Sequence, residues 1–284
     1  MISDWGQISV NGKLVPAAEA TVSPLDRGLL YGDGIFETIR VYEGKPFMLD
    51  AHLKRMTHGC SVISLPMPDA DTIKRWVMEA LDANDLSDAY LRIVITRGPT
   101  GGVWHELENA CPTVLILCKP YHPPDFGDGL RLRLSTFRSD EQNPLTQVKH
   151  IGLLWKIMAR REARQAGVND AIMLNTKGHV AEATSANAFW VRDGVLYTPS
   201  LDSGILAGIT RGVVLEIARE KGIEAVEGHF AFEELLAVEE AFLTSSTWEL
   251  APIRSIEDMT FAEAPGKVTK RLAEEYRRSV IRDA

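Results

Sequence analysis

Proline clustering at Lys119-Pro120-Tyr121-His122-Pro123-Pro124 limits what this 284-residue chain can fold into more than any other feature. A proline fixes its own φ and has no backbone N–H to donate, so a group of them interrupts regular structure. The chain is long enough for two modest domains that each bury a core, and the interruption falls where a connector between them would lie. The expected division is a small domain over 1–120, a connector over 121–128 and a larger domain over 129–284.

On the N-terminal side, Ile8 and Val10 alternate into Asn11-Gly12, a common hairpin turn, and Leu14 and Val15 resume beyond it. A second hairpin is predicted where Phe36-Glu37-Thr38-Ile39-Arg40-Val41-Tyr42 meets Glu43-Gly44 and continues through Pro46-Phe47-Met48-Leu49. Asp50 is placed to N-cap a helix that carries Leu53, Met56 and Cys60 at helical spacing. Ile73, Trp76, Val77 and Ala80 predict another helix, and residues 90–96 and 113–117 read as strands. This half is α+β.

Beyond the prolines, Leu130-Arg131-Leu132-Arg133-Leu134 is strand-like, and Leu154, Ile157, Met158 and Arg161 begin a helix that ends near Gly167. Strands at 170–174 and 187–191, with Asp193-Gly194 as a turn signal, alternate with a helix over about 211–221. The second half is mixed α/β, so the fold class is α/β: a small α+β domain followed by a larger mixed one.

A formal net charge of -8 argues against a broad attraction to nucleic acid, whose phosphates usually meet a basic face. Cys60, Cys111 and Cys118 have no metal-binding spacing, and an odd count leaves no complete disulfide framework. The opening Met1-Ile2-Ser3-Asp4-Trp5-Gly6 lacks a basic segment followed by an apolar one, and no apolar run reaches the length of a membrane span. The expectation is a cytoplasmic protein with small-molecule partners, no nucleic acid and no membrane.

Three segments of the second half follow one another in order: Val148-Lys149-His150-Ile151-Gly152-Leu153-Leu154, Val180-Ala181-Glu182-Ala183-Thr184-Ser185-Ala186-Asn187, and Gly204-Ile205-Leu206-Ala207-Gly208-Ile209-Thr210-Arg211. The first half adds Asp26-Arg27-Gly28-Leu29-Leu30-Tyr31-Gly32-Asp33-Gly34-Ile35-Phe36-Glu37-Thr38-Ile39-Arg40 and His52-Leu53-Lys54-Arg55-Met56. In order and spacing, over most of the chain, this set resembles the class IV (fold type IV) aminotransferases. The resemblance implies a fold type IV architecture like that of D-amino acid aminotransferase, with pyridoxal 5'-phosphate as cofactor. It also implies a homodimer in which a loop of one subunit closes the pocket of the other.

An aminotransferase needs an amine that can join the cofactor's aldehyde and then serve as base and acid at the substrate's α-carbon. An ordinary lysine, with a pKa of about 10.4, is mostly protonated at neutral pH, and burial or nearby positive charge lowers that value. By resemblance Lys149 is this catalytic, cofactor-binding residue. Glu182 matches the glutamate that keeps the cofactor's ring nitrogen protonated, the condition for an electron sink. Arg55 matches the arginine that reaches the phosphate, and Gly208-Ile209-Thr210 opens a predicted helix whose amides can receive the other oxygens. Ser246 and Thr247 match a turn that touches phosphate and substrate carboxylate, and Tyr31, Phe36, Arg40, Tyr90 and Arg92 fall where family members line the substrate pocket. No metal ligands are expected; His52 and His150 read as structural or supporting groups.

Within the family, Tyr31, Phe36, Glu37, Ile39 and Arg40, with Tyr90-Leu91-Arg92, look most like the L-branched-chain branch. The expected reaction is amino transfer from an apolar L-amino acid to 2-oxoglutarate. Thr38, Leu154 and the loop Gly98-Pro99-Thr100-Gly101-Gly102-Val103-Trp104-His105 depart from that branch. Leu153-Leu154 is similar to the D-amino-acid branch and Lys149-His150 to the aminodeoxychorismate lyases, although Val103 stands where a lyase would place an arginine. An (R)-selective amine transaminase is a further alternative. A protein that only binds the cofactor is the alternative from another class, but it would not need Lys149, Glu182 and Arg55 together.

Overall fold

A computed structural model of the chain describes residues 2–101, 104, 107 and 110–283. The chain divides into two compact units, Met1–His122 with Val148–Gly152, and Pro123–Gln147 with Leu153–Arg282. The boundary lies inside the proline-rich stretch. Five residues around Lys149 group with the first unit although they come later in the sequence.

In the first unit, β1 (Gln7–Val10), β2 (Lys13–Pro16), β3 (Gly34–Tyr42), β4 (Lys45–Pro46), β5 (Ala89–Thr96) and β6 (Thr113–Pro120) form an antiparallel sheet in the order β2-β1-β6-β5-β3-β4. Helices α1 (Arg27–Tyr31), α2 (Leu49–Val62) and α3 (Ala70–Ala83) complete it. Strand alternation explains the core: Ile35, Ile39 and Val41 of β3 and Leu91, Ile93 and Ile95 of β5 pack with Leu53, Met56 and Cys60 of α2 and Ile73, Val77 and Leu81 of α3. The alternate residues, Phe36, Thr38 and Arg40 on β3 and Tyr90, Arg92 and Val94 on β5, share the opposite face, with Thr38 beside Arg92 and Arg40 beside Tyr90.

Two expectations are corrected here. Asp50 is not the N-cap of α2; Met48 holds that position in the left-handed region, at φ 54, and Asp50 lies in the first turn. The return strand after Glu43-Gly44 covers Lys45–Pro46 alone, because the chain turns into the helix at Leu49. Strand β4 therefore pairs with Val41 and Tyr42 only, and the early part of β3 takes a different partner. Phe36 N–H donates to Lys149 O at 2.9 Å, and Ile151 N–H donates to Gly34 O at 3.0 Å, around an antiparallel bridge between Ile35 and His150.

In the second unit the strands are β7 (Leu130–Ser139), β8 (Asp170–Asn175), β9 (Val180–Ala183), β10 (Asn187–Arg192), β11 (Val195–Pro199), β12 (Ala225–Gly228), β13 (Glu240–Ser245), β14 (Glu249–Ile256) and β15 (Met259–Thr260). The helices are α4 (Leu154–Gln165), α5 (Ile209–Glu220), α6 (Phe232–Leu236) and α7 (Lys267–Asp283). Strands run in the order β12-β11-β10-β13-β14-β7-β8-β9, and a pairing of β9 with β10 closes a circuit from β10 round to β9. Ile172, Val180, Ala188, Trp190, Leu243 and Ile253 are in its core. Parallel pairing of β14 with β7 and of β7 with β8 makes the unit mixed, with α4 packed against β7 and β8.

Gly34 shows how tightly the first unit's sheet is built at the Lys149 segment. A Cβ there would lie 2.6 Å from Ile95 O and 3.0 Å from Ile151 Cδ1. Gly34→Ala is therefore expected to cost about 1–3 kcal/mol, the usual range for overpacking a filled site. Urea unfolding checks this, and an unchanged midpoint would show that the segment yields without strain.

Candidate active site

Lys149 is positioned by backbone. Its segment adds to β3 as a short antiparallel partner, and side-chain alternation turns Val148 and Lys149 to opposite sides. Val148 is buried in the core near Ile35 and Gly59. The Lys149 Nζ sits 4.7 Å from the centroid of the Phe36 ring, whose plane is also approached by the Arg92 guanidinium at 4.2 Å. Arg92 Nη1 donates to the Tyr90 hydroxyl at 3.3 Å. Lys149, Phe36, Tyr90 and Arg92 are thus brought together on one face of the first unit: one amine, one guanidinium and two aromatic rings.

Arg40 shares the face of Phe36 and Tyr90 and has partners of its own there. Its guanidinium donates to Asp88 at 3.0 Å and to Ala89 O at 3.3 Å, and lies over the rings of Tyr42 and Tyr121. It ties strand ends together. Tyr31 stands at the end of α1 with the Arg27 guanidinium 5.0 Å from its ring centroid. Asp33 fastens this stretch by accepting from Arg27 Nε at 2.9 Å and Arg97 Nε at 2.8 Å. Burial pushes the Asp33 carboxyl up, but the two arginines outweigh it and hold the group below its ordinary range. Val103 and His105, named above for their loop, lie outside the described residues.

Arg55 has a partner that the motif reading did not assign. Glu37 lies on the core side of β3, fully buried, and accepts from Arg55 Nε at 2.7 Å and Arg55 Nη2 at 2.6 Å. His52, one turn earlier on α2, contacts the same carboxylate through Nδ1 at 2.8 Å. Burial works to raise the Glu37 pKa, but the Arg55 charge and the hydrogen bonds from His52 and Arg55 bring it down to about 2. The His52 pKa is lowered, by burial first, with Arg55 and Lys149 adding to that against the pull of Glu37. An ionisable residue at the buried phase of an alternating strand is the signal that could have found Glu37.

In the second unit Glu182 ends up buried on β9. Its Oε1 accepts from Lys156 Nζ at 2.6 Å, and its Oε2 accepts from Asn187 Nδ2 at 3.1 Å and from the Leu206 amide at 3.2 Å. Asn187 also donates to Leu206 O at 2.9 Å, so one side chain joins the carboxylate to the turn that leads into α5. Gly208 is the N-cap of that helix, with no side-chain cap, and a Cβ there would lie 2.0 Å from Asn187 Oδ1. Ile209 and the buried Thr210 follow in the first turn. Ser246 and Thr247 occupy the turn between β13 and β14, which the Ser245 hydroxyl braces by accepting from Trp248 N–H at 3.1 Å. Lys156, Asn187 and the Leu206 amide went unread because each meets Glu182 only through the fold.

The family model for class IV aminotransferases matches residues 34–256. A putative branched-chain-amino-acid aminotransferase of Methanocaldococcus jannaschii is 37% identical over 276 residues, covering 95% of each chain. An aminodeoxychorismate lyase of Bacillus subtilis is 32% identical, covering 96% of this chain and 94% of its own. Among solved structures, a branched-chain aminotransferase of the archaeon Thermoproteus uzoniensis, crystallised with norvaline, superposes with a TM-score of 0.92 at 35% identity, covering 98% of this chain and 96% of its own.

The Glu37 group sets an acid limit on the first unit. A carboxyl whose pKa falls from 4.5 to about 2 on folding contributes stability that is present above the ordinary value and lost as pH drops toward 2. Glu37→Gln leaves Arg55 and His52 without their anion, at a cost of about 3–5 kcal/mol. Urea unfolding followed from neutral to acid pH should show this loss at neutral pH and a shallower fall in acid than for the wild type. Parallel curves for the two proteins would place the acid sensitivity elsewhere.

Proposed function

This chain belongs to the class IV aminotransferase family, of pyridoxal-phosphate-dependent enzymes, and on that premise we propose that it transfers an amino group from a branched-chain L-amino acid to 2-oxoglutarate. The observation that carries the substrate reading is the face on which Arg92 lies over Phe36 and is held by the Tyr90 hydroxyl. A transaminase of this kind must accept an apolar side chain and the extra carboxylate of 2-oxoglutarate at one place. Aromatic rings suit the first, and a guanidinium with donors in a planar fork suits the second. The branched-chain relatives from the two archaea support the same choice.

The donor set fits the cofactor. There is a lysine amine beside an aromatic ring, a buried carboxylate already held by two neutral donors and one cation, and a helix start that has no side-chain cap and no room for a Cβ. When bound, pyridoxal phosphate supplies an aldehyde that takes up the substrate amine and a ring that withdraws electrons from the α-carbon. Lys149 would remove the α-proton and return it to the carbon of the cofactor's aldehyde, and the pairing of its segment with β3 fixes the side from which it would do so. Arg55, its guanidinium oriented by Glu37, the amides of Gly208, Ile209 and Thr210, and Ser246 would hold the phosphate. Glu182, as a carboxylate, would accept a hydrogen bond from the protonated ring nitrogen. Tyr31, Phe36, Tyr90, Arg92 and Thr247 bind substrate, while Arg40 supports the face that carries them.

Lys149→Ala is expected to lower turnover by at least about 10²–10⁴-fold, the usual worth of a positioned acid–base group, with folding little changed. Borohydride reduction of the wild-type holoenzyme followed by peptide mapping should find the cofactor on Lys149; attachment at another lysine would sink the assignment. Substrate choice is tested by stopped-flow half-reactions. L-leucine, L-isoleucine or L-valine should react faster than D-alanine or an (R)-arylalkylamine, and 2-oxoglutarate should reverse the change. A D-amino acid or an (R)-amine that outruns every L-donor would show instead that Thr38 and Leu154 mark a different substrate class.

A further inference from the structure

Lys156 has no part in the reading above, yet its ammonium makes the shortest contact to Glu182, at 2.6 Å from Oε1. The two side chains are 18% and 4% exposed, so the pair is largely withdrawn from water. A carboxylate offers about four lone-pair positions. On Glu182, Oε2 takes two donors, Asn187 Nδ2 and the Leu206 amide, and Oε1 takes Lys156. One position remains, on the oxygen that Lys156 already holds.

Lys156 is itself held by its helix. Arg160, one turn further along α4, donates through Nε to Thr184 Oγ1 at 2.9 Å and through Nη2 to Ser185 Oγ at 3.1 Å, and forms an ion pair with the buried Asp170. Thr184 Oγ1 in turn donates to Asp170 Oδ1 at 2.6 Å. Lys156 and Arg160 lie on one face of α4 by their spacing of four. Between them they grip both Glu182 and the residues just beyond it, so the carboxylate faces a fixed cation.

We propose that Lys156 is a positioning residue for Glu182 that biases the proton shared with the cofactor's ring nitrogen onto that nitrogen. The proposal rests on the reading of Glu182 as the ring-nitrogen partner. The physical reason is direction. A cation bound to the carboxylate favours its ionised form, and moving the shared proton from Oε1 to the ring nitrogen carries positive charge away from Lys156. Without Lys156 the buried carboxylate keeps its two neutral donors on Oε2 but loses its cation, and burial favours the neutral acid. The proton then settles on the carboxyl, and the electron-withdrawing power of the ring falls although every cofactor-binding group remains.

The test is the ¹⁵N resonance of ring-labelled pyridoxal phosphate bound to the wild type and to Lys156→Met, Lys156→Gln and Lys156→Arg. Met keeps the length of the stem, Gln keeps a donor without charge, and Arg keeps the charge. The wild type and the Arg variant should give a protonated ring nitrogen across neutral pH, and the Met and Gln variants should shift toward the unprotonated position. A protonated signal in the Met and Gln variants would overturn the role of Lys156. Glu182→Gln separates the two readings. If it shifts the signal while Lys156→Met does not, only the Lys156 proposal falls; if it leaves the signal protonated, the Glu182 reading falls and this proposal with it.

Discussion

Strand β3 is hydrogen-bonded to β5 along its length, while on its other side β4 reaches only Val41 and Tyr42. A strand edge left open would present unpaired N–H and C=O groups. Here the segment around Lys149 takes up Phe36 N–H and Gly34 O. The alternation of β3 then sorts the side chains. Ile35 and Glu37 go to the helix-covered side, where Val148 joins Ile35, and Phe36 goes to the other, where Lys149 meets it. Which residues can touch the amine follows from that pairing, while its charge still reaches His52 in the Glu37–Arg55–His52 group.

Each unit solves the cost of a buried carboxylate in its own way. Glu37 is matched by a two-point contact from Arg55 and by His52, in a group whose members lie on one strand and one helix. Glu182 draws on a helix lysine, a strand asparagine and a loop amide. The first arrangement draws every donor from one helix, α2, which suits a structural anchor. The second draws its donors from three separate elements and sets its one cation on Oε1, apart from the two neutral donors on Oε2.

Local patterns in the sequence located most elements and many of their starts, among them those at residues 113, 130, 154, 170 and 187. Asn11-Gly12 reads as a turn because both residues adopt positive φ, 51 and 81, as the tight hairpin demands. The start of α2 was misread because helical spacing from Leu53 onward says nothing about where the first turn begins, and Met48 gives no sequence sign of a left-handed residue. In the candidate site, motif order singles out Lys149 and Glu182. It does not single out their supporting groups: Lys156 looks like any solvated lysine on an amphipathic helix until β9 is placed against it, and Glu37 meets Arg55 across a strand-to-helix contact that neither local pattern contains.

The pairing of β3 with the Lys149 segment also bears on the order in which this chain can fold. The first unit's residues up to His122 are synthesised before residues 148–152, and domains tend to form as they emerge. Sheet and helices can assemble around Ile39, Leu91 and Ile93 at that stage, but the open part of β3 must wait until the chain has run out into the second unit and come back. Contacts so distant in sequence pay their loop-closure entropy late. The amine is therefore among the last groups to be set in place, on a scaffold that is otherwise already built.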